Sequence, residues 1–297
     1  MSSIVLSLSK RGLIKPPTYA TETQYEVLTG SISYGVSSDI SDSDIVGFCI
    51  PSKEVVFPHL AGEIFRFGKE KKRFDQFQQH HIDDKENKRQ YDISVYNIVR
   101  FFHLCMDNNP NMVDALFVPQ RCILHITKIG HIVRDNRREF LHKGAWHRFK
   151  GYAYSQLHKA RTKNPEGKRR EIVEKYGFDV KFAYHIVRLL DEVEQILATG
   201  DLDLERCREQ CKAIRAGEVP LARIEEHFAQ QEVLLEELYQ RSTLPYGPDE
   251  EKIKKLLLAC LEEFYGSLDK CIVVQPDFKL LLQEMQAVID KYEIPGI

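Results

Sequence analysis

Leu28-Thr29-Gly30-Ser31-Ile32-Ser33-Tyr34-Gly35, followed by Ser41-Asp42-Ser43-Asp44-Ile45-Val46-Gly47, is the stretch on which the fold turns. An apolar run, Tyr25 to Thr29, ends at Gly30, and a second, Ile45 to Ile50, ends at Pro51. Each reads as a short strand bounded by turn residues. If Asp42 to Ile50 is extended, Asp42 and Asp44 lie two residues apart and point to the same face. Carboxylates held side by side repel each other unless a cation lies between them. A hard divalent ion, Mg²⁺ or Mn²⁺, would take these oxygens and complete its shell with water and phosphates. A strand ending in Gly-Ser lets backbone N–H groups approach an anion, and the serine hydroxyl adds a donor. A helix beginning there would add partial positive charge. The bland alternative is a solvated serine-rich loop, Ser37 to Ser43, with capping acids. The order of the two elements favours a phosphate site set beside a paired-carboxylate metal site, as metal-assisted nucleotidyl transfer requires.

Outward from this stretch, Gln90 to Tyr96 is a third strand, and Phe77 to Ile82 can pair with it as a hairpin across the charged turn Asp83 to Lys88. A helix follows from about Val95 to Asp107 and stops before Asn108-Asn109-Pro110. The second half suits helices at Trp146–Lys159, Lys181–Ala198, Leu204–Ala216, Leu221–Gln240, Glu250–Leu268 and Phe278–Tyr292. Phe182, His185, Ile186, Leu189, Leu190, Val193 and Leu197 fall at spacings of three and four, one apolar stripe that stops at Gly200. The pattern predicts an α+β chain: a small mixed sheet in residues 1–135, then a helical domain in 136–297, with the change near 130–145. The C-terminal helices (Pro248 to Tyr292) are expected to pack on the first helical block.

The chain has 297 residues and a formal charge of −2, which argues against a histone-like polyanion binder. Its 43% hydrophobic content suffices for a sizeable core. The longest apolar run, Leu256 to Leu261, is far short of a membrane span, and Met1 to Lys15 lacks a signal-peptide pattern. Seven scattered cysteines read as reduced thiols, so a cytoplasmic location is expected. Residues 134–175 hold 13 Lys/Arg and 5 Asp/Glu, a local +8, interleaved with Trp146, Phe149, Tyr152 and Tyr154. Such a mixture can grip a nucleic acid, or it can be a solvated basic helix with its rings turned into the core.

At Gly30-Ser31, Tyr34-Gly35 and Ser41-Asp42-Ser43-Asp44 the chain resembles the nucleotidyltransferase signature of the DNA polymerase beta superfamily. It is most similar to the polymerase-beta-like enzymes associated with RNA ligases in RNA repair. That resemblance continues through Asp92, Tyr96, Arg100-Phe101-Phe102, Asn109-Pro110-Asn111, Leu116-Phe117-Val118-Pro119, Gly151-Tyr152-Ala153, Tyr176-Gly177-Phe178-Asp179 and Ile214-Arg215-Ala216-Gly217-Glu218. It covers about 24 to 240. It implies that Asp42 and Asp44 bind the catalytic metals and that Asp92 is the third acid. Gly30, Ser31 and Ser33 would cradle the phosphates of a nucleoside triphosphate, and Lys181 and Arg188, on one helix face, would reach its outer oxygens. The long charged segment Lys69 to Arg89 is a departure from the pattern and bears on the placement of Asp92.

Weaker signals complete the reading. Cys207 and Cys211 would share a helix face, without a second pair to make a zinc set. His80-His81 reads as loop, and His185 as a core histidine or a pocket residue. The expected activity is transfer of a nucleoside monophosphate from a nucleoside triphosphate to a hydroxyl, an RNA end foremost, with pyrophosphate release. The alternatives are a non-catalytic nucleotide-binding or antitoxin-like module, and a helical scaffold gripping nucleic acid through the basic window.

Overall fold

A computed structural model describes residues 3–37, 42–64, 68, 73–162, 168–266, 282–283 and 285–287. Helix α1 (Ile4–Lys10) opens the chain, with the hydroxyl of its N-cap Ser3 accepting the Leu6 N–H at 2.9 Å. Glu26, fully buried on strand β1 (Thr23–Leu28), takes the next donors. Its Oε2 accepts the Ile4 N–H at 2.8 Å, and the Ser3 and Thr23 hydroxyls donate to Oε1. A free amide at a helix start needs an acceptor, and this carboxylate fastens α1 to the sheet.

Strands β2 (Ser43–Cys49), β3 (Gln76–Asp84), β4 (Arg89–Asn97) and β5 (Ile123–Ile126) complete a five-stranded sheet of order β3-β4-β2-β1-β5. The β2–β4 pair is parallel and the others antiparallel. The expected hairpin is present as β3–β4; β5 carries no strong alternation and was not expected. Because strand side chains alternate, Ile45 and Cys49 join Ile93 and Val95 in the cluster under α1, while Val46 and Phe48 face the helices. Asp44 shares the helix-facing side of β2.

The helices are α2 (Lys53–Val56), α3 (Ile98–Met106), α4 (Pro110–Phe117), α5 (Lys128–Asp135), α6 (Ala145–Thr162), α7 (Lys168–Tyr176), α8 (Val180–Thr199), α9 (Arg208–Arg215), α10 (Leu221–Arg241) and α11 (Glu250–Tyr265). Asn109 caps α4 with Pro110 at its first position, which accounts locally for Asn109-Pro110-Asn111. In α8 the predicted stripe is buried, and Gly200 closes the helix at φ +64 with its N–H on the Ile196 carbonyl at 2.9 Å. Both α6 and α10 pack on α8. One hydrophobic cluster runs from Tyr25 through Leu190 to Leu261, so the core is continuous across residue 135.

The C-terminal helix departs from expectation. Instead of lying on the first helical block, α11 folds back on α5 and α3, with Lys128 on Glu263 at 2.8 Å and the Tyr265 hydroxyl donating to the Pro51 carbonyl at 2.6 Å. Its apolar residues Leu261 and Tyr265 cover the sheet-bearing half, which would otherwise leave core exposed. The helix expected over Phe278–Tyr292 falls largely outside the described residues, as do residues 38–41 of the acid-rich loop. Among the described residues no helix is long and apolar enough to cross a membrane, and the six cysteines are free thiols.

Candidate active site

Strand β1 runs into Gly30 at φ +66, a conformation that costs glycine little and other residues more. The chain then makes a single 3-10 turn, Gly30–Ile32, and not the start of an α-helix. The N–H and hydroxyl of Ser33 both donate to the Gly30 carbonyl, at 3.1 and 2.8 Å. Ser33 is fully buried, so it braces the turn and does not face a ligand. The Ser31 side chain is only half-buried, on the outside of the turn. The Thr29 N–H donates to the Asp44 carbonyl at 2.9 Å, which ties this turn to the start of β2. A Cβ built on Gly30 would stand 2.4 Å from Oδ2 of Asp44, so the glycine is required for shape as well as for φ.

Asp44 on β2 and Asp92 on β4 are register partners in the parallel pair. Neighbouring strands lie about 4.8 Å apart, so two partners on one face bring their carboxylates together. Burial, with Asp92 and Asp42 adding to it, raises Asp44 to about 6, against the opposing pull of Lys181 and His80. Among the described residues no hydrogen bond reaches the Asp44 carboxylate. Asp92 is held differently. The His81 N–H donates to its Oδ1 at 2.7 Å, and Nδ1 of His80 stands 3.4 Å from its Oδ2. Asp42 precedes β2 and is exposed at the mouth of the site.

His80 and His81 were read as loop, and the structure corrects this. Both lie on β3, at an irregularity of register between Gln79 and Ile82 where His81 adopts φ +55. A bulge inserts an extra residue and re-aims a backbone group, here the amide that grips Asp92. No local spacing announces it, because the residue it serves lies on the next strand.

The N-terminal half of α8 faces the acids. Lys181 is exposed there, and its charge is felt at Asp44. His185 stacks on Tyr184 at 4.3 Å and is held well below its ordinary value by burial and then by Arg188, Lys181, Arg169 and Arg215. Arg215, on α9, lies 5.4 Å over the Tyr184 ring. Sequence reasoning had noted Arg215 only within a motif. Arg188 does not join Lys181 at the opening. It is 1% exposed, and its Nη1 donates to Asp114 Oδ2 at 2.8 Å and to both Glu192 oxygens at 2.6 and 2.7 Å. Seven residues are two turns, about 10 Å along the same face, which carries it from the opening into the core, where a guanidinium must be paired.

The profile of the RlaP family, the RNA repair pathway DNA polymerase beta family, matches residues 17–258. The chain belongs to this family. No curated protein matches it. Among solved structures it is similar to a nucleotidyltransferase-like protein from Exiguobacterium sibiricum 255-15, at 12% identity, 98% of this chain, 80% of that one and a TM-score of 0.29. The assignment rests on the profile match.

Oxygens from Asp42, Asp44 and Asp92 are donors of the kind a hard divalent cation takes, with Asp44 half-buried and raised by burial and by its like-charged neighbours. Among the described residues, no three His, Cys, Asp or Glu side chains already close around one point. Cys207 and Cys211 do share a face, with Sγ atoms 3.5 Å apart.

Five cations of the basic window are engaged in ion pairs. Arg148, Arg169, Arg138, Arg161 and Lys150 pair with Asp107, Asp179, Asp201, Glu225 and Glu232, all outside the window. Trp146 and Phe149 are buried, and the Trp146 indole N–H donates to Glu236 at 2.9 Å.

Proposed function

We propose that the protein is a metal-dependent nucleotidyltransferase that moves a nucleoside monophosphate from a nucleoside triphosphate to a hydroxyl. The observation that carries this reading is the half-buried Asp44 carboxylate, which accepts no hydrogen bond among the described residues, set against Gly30, beside Asp92 and within the field of Lys181 on α8. Three acidic side chains, of which Asp92 has His80 beside it, set across from Lys181, suit a ligand that brings both charges: a divalent metal with a polyphosphate.

In the reaction the acceptor oxygen attacks the α-phosphorus, the bond to the bridging oxygen of the β-phosphate breaks, and pyrophosphate leaves. Mg²⁺ or Mn²⁺ held by Asp42, Asp44 and Asp92 would neutralise charge on the attacking and leaving oxygens. The amides and hydroxyl of Gly30-Ser31 would bind the β- and γ-phosphates, Lys181 and Arg215 would pair with outer oxygens, and neutral His185 would offer a hydrogen bond. Asp92, nearest the acceptor by analogy, would take the proton from the attacking hydroxyl. An RNA end is the acceptor we favour, supported by the family's own description, and the cytoplasm is the compartment in which reduced cysteines fit.

Incubation with each labelled nucleoside triphosphate and a pool of cellular RNA, with Mg²⁺ or Mn²⁺, tests the reading. Label should enter RNA, pyrophosphate should appear, and Asp44→Asn should stop both while the circular dichroism spectrum stays native. Near-normal pyrophosphate release by Asp44→Asn overturns the mechanism. Tight ATP binding that ignores Mg²⁺, with no product, would return the protein to a binding module.

A further inference from the structure

Tyr34, Asp114, Arg188 and Glu192 form a network of polar groups, each no more than 4% exposed, that touches no surface. The Tyr34 hydroxyl donates to Asp114 Oδ2 at 2.5 Å, the same oxygen that accepts from Arg188 at 2.8 Å. The Arg188 guanidinium lies 4.3 Å over the Tyr34 ring, its Nη1 donates to both Glu192 oxygens, and its Nη2 stands 3.5 Å from Nδ1 of His185. Three separate pieces of chain meet here. Tyr34 belongs to the turn that begins at Gly30, whose carbonyl accepts the Tyr34 N–H at 3.4 Å, while the Gly35 N–H donates to the Ile32 carbonyl at 3.2 Å and the Val36 N–H to the Ser31 carbonyl at 3.0 Å. Asp114 stands on α4, and Arg188 and Glu192 stand on α8. Two polar atoms, Asp114 Oδ1 and Arg188 Nε, have no hydrogen-bond partner among the described residues. Apolar residues of similar volume would fill this space without desolvating charge, so packing alone does not account for the network.

We infer that Arg188 is a positioning residue: through Asp114 and Tyr34 it sets the spacing between the Gly30-Ser31 turn and the Lys181 end of α8. Seven residues of α-helix form a rigid strut of about 10 Å from Arg188 to Lys181, and Tyr34 anchors the other side of the opening. A polyphosphate bound between them needs that span held constant. The inference deepens the nucleotidyltransferase reading by assigning Arg188 to the frame of the site and not to the nucleotide.

The test is Tyr34→Phe, which deletes one hydroxyl and keeps the ring under Arg188. Amide exchange at Ser33 to Val36 should speed up about tenfold while β1 and β2 exchange as before, the loss expected for one buried hydrogen bond. Mg·ATP should bind several-fold more weakly, with KM rising more than kcat falls. Arg188→Lys, which keeps the charge but loses the planar stack on Tyr34 and the full reach to Asp114 and Glu192, should do the same and is the variant to use if Tyr34→Phe does not fold. Unchanged exchange at Ser33 to Val36 in both variants overturns the proposal. So does an Arg188→Lys that loses ATP affinity with the turn undisturbed, which would make Arg188 a direct ligand. If the wild-type protein binds no Mg·ATP, the functional reading fails, and the exchange experiment still decides whether the network holds the turn.

Discussion

Oδ2 of Asp44 rests against the backbone of Gly30, with room for a hydrogen but not for a methyl group. The first element of the signature therefore shapes the second, because the glycine lets a half-buried carboxylate lie on the turn that would carry phosphate. The contact closes one side of Asp44, Asp92 closes another, and the open side faces Lys181.

Gly30→Ala should damage the site in two ways at once. It forces an L-residue to φ +66 and drives a methyl group into Asp44. Together these should cost about 1–3 kcal/mol of stability and displace the Asp44 carboxylate. Thermal melts and Mn²⁺ titration of the folded variant check this; wild-type metal affinity would contradict it.

Metal-free protein should gain stability from Asp44→Asn. A carboxylate raised to about 6 binds its proton more tightly when folded, so stability is highest below the unfolded value near 4 and falls as pH rises toward about 6. Above that window the penalty stays, at most about 3 kcal/mol. The variant should therefore melt higher than wild type at pH 8 and match it near pH 4. Excess Mg²⁺ should raise the wild-type melting temperature and leave the variant's unmoved.

Lys181→Ala should raise KM for the nucleotide by about 10–100-fold, the worth of a charge-assisted contact to phosphate. Lys150→Ala and Arg161→Ala should leave KM alone, since those cations are already paired with Glu232 and Glu225. Steady-state kinetics with varied nucleotide separate the two groups. Equal losses in all three would restore the basic window as a polyanion grip.

Within the buried network, burial raises both Asp114 and Glu192, the second well above the ordinary carboxylate range, against the pull of Arg188. One guanidinium between two acids favours a shared proton. Glu192→Gln, which resembles the protonated side chain, should be mild. Asp114→Ala leaves Arg188 and Tyr34 without their common acceptor and should cost about 3–5 kcal/mol. Urea titration distinguishes them, and the reverse order would sink this account.

The elements that were legible in the sequence are those written in local periods. The run into Gly30, the alternation of β2, the stripe on α8 and its stop at Gly200 all depend on neighbours within one turn of helix or a few residues of strand. The grip of His81 on Asp92 was not legible, because a bulge on β3 is defined only against β4. Arg188 was misplaced for a related reason: spacing puts it on a helix with Lys181 but does not say where core begins along that helix. Nor does the local +8 disclose its partners, since five of its cations meet acids that lie elsewhere in the chain.

By itself, the sequence determined which residue types stand at the turn and at the start of β2, and hence which chemistry the chain can attempt. Tertiary structure alone decided that Asp92 lies opposite Asp44, that the charge of Lys181 is felt at Asp44 while Arg188 is buried, and that α11 covers α5. Periodicity is a property of bonded neighbours, whereas charge pairing, burial and strand register arise between segments that only folding brings within a few ångströms.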